Sequence, residues 1–88
     1  MRVYKQKLEV CDQQKVLMQK GAKILHVGLQ NGYVCAWFEC DENAPMEERI
    51  IHCVGTGFNL PSVSLRYLGT VLIYHDSLVY HFYEEVQK

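Results

Sequence analysis

The chain predicts an all-β or β-dominated domain, a small antiparallel sandwich or rolled sheet of six to seven short strands. Short runs of β-branched, aromatic and aliphatic residues recur along its whole length, separated by Gly, Asn, Asp, Ser and Pro. The pair Asn31-Gly32 lies between two such runs, and Asn-Gly is the favoured connection of a type I′ hairpin because both residues tolerate positive φ. Only Asp41 to Glu48 (DENAPMEE) has the composition of a helical turn, at most one and near 43–48.

In chain order the expected strands are Val3 to Cys11, Lys15 to Met18, Ala22 to Gln30, Tyr33 to Cys40, Arg49 to Val54, Arg66 to Tyr74 and Leu78 to Glu84. Residues 1–88 make a single domain, because so short a chain cannot divide into two cores that each bury enough apolar surface. With 49% hydrophobic and 22% charged residues it has the composition of a folded globule, not a disordered chain.

The Asn-Gly turn fixes a register: Gln30 opposite Tyr33, Leu29 opposite Val34, Val27 opposite Ala36, His26 opposite Trp37 and Leu25 opposite Phe38. One face then carries Leu25, Val27, Leu29, Val34, Ala36 and Phe38, an unbroken apolar set that reads as core. The other carries Ile24, His26, Gly28, Gln30, Tyr33, Cys35, Trp37 and Glu39, a mixture expected to be covered by a second layer, a subunit or a ligand. With Asp76 and Ser77 as the loop pair, the last two runs place Val71, Ile73, Leu78, Tyr80 and Phe82 on one face. Thr70, Leu72, Tyr74, Val79, His81 and Tyr83 fall on the other. Two hairpins that are apolar on both faces are more than a small monomer hides, so a homo-oligomer is expected.

The formal net charge of −1 argues against strong nucleic-acid binding through many phosphates, although a local basic patch is compatible with it. No apolar run approaches the roughly 20 residues of a membrane helix, and "MRVYKQKLEV" alternates instead of forming a signal peptide's apolar block. No membrane association is expected, and a soluble, cytoplasmic protein is. Cys11, Cys35, Cys40 and Cys53 include no CxxC pair, and Cys35 and Cys40 point to opposite faces of one strand. They read as reduced, mostly buried thiols, with no metal and no cofactor.

The candidate ligand-binding residues fall into three groups. Trp37 opposite His26, with Tyr33 nearby and Gly28 leaving a gap, forms an aromatic platform suited to stacking a base; subunit packing is the plainer use of the same face. Arg49 and Arg66 are the phosphate candidates, since a guanidinium fork matches phosphate oxygens, although Glu47 or Glu48 is the nearer partner for Arg49. Gly55, Thr56, Gly57 and Phe58 form the third group. "VGTGFNLP" is followed by no helix start, so it is not a P-loop. It is a turn, or an anion nest that Arg49, Arg66 or a neighbouring subunit would complete.

For catalysis there is no GxSxG, HExxH or Walker glycine loop. His75-Asp76-Ser77 supplies one HxS triplet of the type two-histidine phosphoesterases use in pairs, and the second is missing. A non-enzymatic protein is expected, with no catalytic residues.

The strings "VYKQKLEV", "GAKILHVGLQNG", "AWFECDENAPMEER", "GTG" with a following proline, "LRYLGTVL" and "LVYHFYE", in that order, resemble a family of small phage and prophage proteins of unknown function, DUF7352-like. The resemblance spans nearly the full chain. It departs from the family pattern at Gln19-Lys20, where a proline commonly precedes the glycine, and in several extra cysteines. It implies a phage protein in a host bacterial cytoplasm. Small phage accessory proteins often counter host defence, so the expected function is an anti-defence binding protein that sequesters a small nucleotide immune signal in an oligomer. The alternative is a protein-interaction module that inhibits or assists a host or phage protein, such as a host defence protein; a signal-degrading phosphodiesterase is the third reading.

Overall fold

In the computed structural model, residues 1–86 are described, and they contain seven strands and no helix. The strands are β1 (Arg2–Lys7), β2 (Gln13–Gln19), β3 (Lys23–Gln30), β4 (Tyr33–Cys40), β5 (Met46–Gly55), β6 (Leu65–Ile73) and β7 (Leu78–Glu85). They form a three-stranded sheet in the order β1-β4-β3 and a four-stranded sheet in the order β2-β5-β7-β6, with every pairing antiparallel. Val27 and Phe38 of the first sheet share one apolar cluster with Met18, Ile51, Val71 and Phe82 of the second. The domain is thus a thin sandwich, 40 × 32 × 15 Å. Each fully buried side chain of this size contributes about 1.5–3 kcal/mol.

The Asn31-Gly32 turn is present, with φ of 52° and 81°, and the register from Gln30↔Tyr33 through His26↔Trp37 is the expected one. It then slips: a bulge between Ile24 and His26 brings Ile24, not Leu25, opposite Phe38. Leu25 is turned outward, 47% exposed, while Ile24 packs against the core. Leu29, expected in the core, is 42% exposed and lines a pocket with Leu8 and with Leu72 and Ile73 of the other sheet.

A second bulge, between Tyr67 and Gly69, sits on β6, the strand that packs against β3. Bulges bend and twist the strand that carries them, and here both strands of the seam between the sheets have one. The approach at the seam is close: a Cβ on Gly69 would lie 2.7 Å from the Val27 carbonyl oxygen.

Near 43–48, where the sequence allows at most one helical turn, the chain makes a tight turn and then enters strand. Asp41 starts a tight turn, accepting from Asn43 N–H at its side chain (3.0 Å) and from Ala44 N–H at its carbonyl (3.0 Å). From Met46 the chain is extended, because Met46 to Arg49 pair with Val16 to Gln19 and the ladder overrides a weak helical preference. The first strand is shorter than expected, ending at Lys7. Gln14 fixes the bend that follows, accepting from Glu9 N–H (3.0 Å) and donating to the Glu9 carbonyl (2.8 Å).

The last hairpin has a four-residue loop, Tyr74 to Ser77, since Ile73 pairs with Leu78. Tyr74, His75 and Asp76 all take positive φ. The slip relative to an Asp76-Ser77 turn is an even number of residues, so the expected division of faces survives.

Candidate functional site

The candidate residues separate into an outer face of each sheet, the core and one strand edge. Trp37, His26 and Tyr33 come together on the outer face of the three-stranded sheet, because cross-strand partners share a face: His26 pairs with Trp37, Gly28 with Cys35 and Gln30 with Tyr33. The His26 and Trp37 rings stack, with centroids 6.1 Å apart and planes 28° apart. The gap expected at Gly28 is filled by His26, whose Nε2 would lie 2.7 Å from a Cβ there. Glycine therefore lets the imidazole fold down beside the indole.

The third strand of this sheet adds what sequence reasoning missed. Strand β1 pairs with β4, placing Lys5 opposite Trp37 and Lys7 opposite Cys35, on the same outer face. Lys5 Nζ donates to Gln30 Oε1 at 2.6 Å, a reach that crosses β4 above Cys35. Cys35 is only 3% exposed although it points outward. Lys7 Nζ sits 4.3 Å from the centre of the Tyr33 ring. Both cations are met by neutral partners, so neither charge is cancelled. The alternation Val3, Lys5, Lys7 was the available signal; which strand it would pair with was not.

Gly55, Thr56, Gly57 and Phe58 belong to the other side of the molecule. Residues 56–64 form a strap from the end of β5 to the start of β6: Thr56 meets His81 on the outer face, while the Phe58 ring lies on the side of Gly55 that faces Tyr80, which packs against the core. Gly57 has φ of 93° and Phe58 N–H donates to the Gly55 carbonyl at 3.1 Å, a turn of the kind that requires glycine at its third position. Thr56 N–H donates to the Val79 carbonyl at 3.3 Å. Two of the loop's amides are thus used inside the chain, which leaves little of an anion nest.

Thr56 Oγ1 lies 2.8 Å from His81 Nε2, His81 Nδ1 lies 2.9 Å from Thr70 Oγ1, and Thr70 Oγ1 lies 2.5 Å from Tyr67 Oη. Hydroxyls hold both imidazole nitrogens, and among the described residues no carboxylate is hydrogen-bonded to the ring. On the β7 side of the strap, a recess of about 180 Å³ lies over His81 and Tyr83. On its β5 side a groove of about 760 Å³ runs to the β1–β2 link, lined by Val10, Asp12, His52, Val54, Phe58 and Leu60 among others. Among the described residues, its lining includes neither arginine nor lysine. Burial pushes the Cys53 thiol, at the bottom of this groove, up to about 11, and neighbouring Cys11 and Asp12 add to the rise.

Arg49 is in the core, 8% exposed. It is ion-paired and hydrogen-bonded through Nε to buried Glu84, donates from Nη1 to the Ala22 carbonyl at 2.9 Å, and has Glu47 at 3.6 Å. Its donors are committed to tying β5, β7 and the β2–β3 turn together. Arg66 is exposed on edge strand β6, opposite Glu84 in register, and joins neither group. His75 and Ser77 lie in the exposed last turn, where Ser77 Oγ donates to the Tyr74 carbonyl at 2.6 Å. Of the cysteines, Cys11 is exposed; Cys35, Cys40 and Cys53 are buried, and all four are free thiols.

These features define a small all-β sandwich with two unlike outer faces, one aromatic and cationic, the other apolar and strapped. The chain belongs to the family described as a domain of unknown function, DUF7352, whose model matches residues 1–88. Neither a curated protein nor a solved structure matches it.

Proposed function

We propose that the chain is a non-enzymatic binding protein that captures a small nucleotide on the outer face of its three-stranded sheet. The observation that carries this reading is the stacked His26–Trp37 pair beside Lys5 and Lys7 on one open sheet face. An aromatic face offers a base about 1–3 kcal/mol of stacking, and two uncancelled lysines offer charge to its phosphates. Tyr33, already under Lys7, borders the same platform. The phosphate role moves from Arg49, which is buried, to the two lysines. In the phage setting that the sequence resembles, such capture would withdraw a nucleotide signal from a host defence.

Incubating the purified protein with cyclic dinucleotides or ADP-ribose, then heating it and assaying the supernatant, tests this reading. Nucleotide depleted before heating and recovered intact afterwards supports capture. Recovery of cleaved nucleotide indicates a phosphodiesterase instead. No depletion of any nucleotide, with a tight protein partner in a pulldown, indicates an interaction module.

A further inference from the structure

We infer that the groove on the β5 side of the strap binds a small apolar amine, with its ammonium group on Asp12 and its apolar body against Phe58 and Tyr80. The groove's volume, about 760 Å³, lies within the roughly 300–1,000 Å³ of small-ligand sites. Val10, Val54 and Leu60 line it beside buried Cys53. Two aromatic rings meet over Gly55, where a Cβ would lie 3.2 Å from Phe58 Cδ2 and 3.9 Å from Tyr80 Cε1. Tyr80 packs on the core, whereas Phe58 is 78% exposed. The Phe58 ring thus rests on the strand with most of its surface open to a ligand. Cys53 N–H donates to the Asp12 carbonyl at 3.1 Å, which sets Asp12 beside Cys53. Gly55 lies two residues further along β5, about 7 Å away, so a short linker joins an ammonium at Asp12 to a ring at Phe58.

The charge of the groove selects the ligand. Among the described residues, no cation and no hydrogen-bond donor pairs with the Asp12 carboxylate. Of the described residues that line the groove, His52 alone can carry a positive charge. Its Nε2 lies 3.0 Å from a Glu85 carboxylate oxygen, so a proton on that ring is already answered. An anion entering the groove would meet Asp12 with nothing to neutralise it. A neutral ligand would displace water from that carboxylate and put no partner in its place. An ammonium supplies a charge-assisted hydrogen bond, and an open aromatic ring attracts the same cation. The groove therefore discriminates against the phosphates that suit Lys5 and Lys7, and the two sites are separate.

Titrating the isotope-labelled full chain with phenethylamine at neutral pH, followed by amide NMR, tests the inference, with phenylpropionate and phenethyl alcohol as the anionic and neutral counterparts. The amine should shift the amides of Asp12, Cys53, Gly55 and Phe58 saturably and bind about fivefold more tightly than either counterpart. Asp12→Asn should cost about fivefold in amine affinity and remove the preference over the alcohol. Phe58→Ala should cost about two- to fivefold. Phenylpropionate binding as tightly as the amine, shifts gathered at the Trp37 indole, or a folded Asp12→Asn variant with undiminished amine affinity overturns the inference. So does the absence of any saturable shift at tens of millimolar amine. Nucleotide capture stands or falls separately, because ADP-ribose should shift the Trp37 indole and leave the groove amides in place.

Discussion

The two outer faces of the sandwich treat charge in opposite ways. On the three-stranded sheet, Lys5 and Lys7 are met by an amide and an aromatic ring, so their charge remains available to an anion. On the four-stranded sheet, Lys15 is ion-paired with Glu48, and the His52 ring lies in hydrogen-bond contact with the Glu85 carboxylate. Both faces carry aromatic rings and a histidine, so residue type alone does not distinguish them. What the histidine touches does: His26 lies against an indole, whereas His81 is held between two threonine hydroxyls under a loop. The first is a platform, the second a fastening.

The largest expected effect comes from the core that both faces share. Replacing Arg49 with alanine leaves Glu84 buried without its ion partner and should cost about 3–5 kcal/mol, read as a lower thermal midpoint. If stability were unchanged and only nucleotide affinity fell, Arg49 would belong to a binding site after all. Gly69→Ala forces the seam apart at the Val27 carbonyl and should cost about 1–3 kcal/mol in denaturant unfolding. A stable Gly69→Ala protein would mean that the sheets meet less closely.

The next effects separate the faces. Trp37→Ala should weaken nucleotide binding about 5- to 150-fold, the equivalent of one lost base stack, as read by calorimetry with sedimentation mass unchanged. Replacing Lys5 and Lys7 together with glutamine should cost about 2- to 30-fold in affinity and flatten its salt dependence, since exposed charge pairs are each worth about 0.2–1 kcal/mol. An unchanged salt slope would remove the lysines from the site. The smallest effect is a rate difference between thiols. Exposed Cys11 should react with a maleimide at neutral pH long before Cys53, whose thiol is buried and titrates near 11. Mass spectrometry of the partly labelled chain checks the order, and equal rates would mean that the groove floor opens readily.

Much of the fold was legible because alternation and turn chemistry are local. Asn31-Gly32 fixed one hairpin, and that register brought His26, Trp37 and Tyr33 to one face. The limits were set by long-range pairing. Nothing near Leu25 announces its bulge, which accompanies the close crossing of β3 and β6 at Gly69. Met46 to Glu48 became strand because β2 was there to pair with them. The same cause hid half of the platform, since Lys5 and Lys7 matter only once β1 lies beside β4. Arg49 was misleading for a related reason: the neighbouring Glu47 is the partner the sequence offers and it is there at 3.6 Å, but only the tertiary fold adds Glu84 and buries the guanidinium.

The most direct test of the account uses its single tryptophan, Trp37, whose fluorescence reports from the centre of the proposed platform. Titrating the wild-type chain with ADP-ribose and with cyclic dinucleotides should give saturable quenching by at least one of them. The midpoint should rise with salt, and inorganic phosphate alone should give no quenching. A folded protein whose Trp37 emission is unmoved by every nucleotide up to millimolar concentration would contradict it.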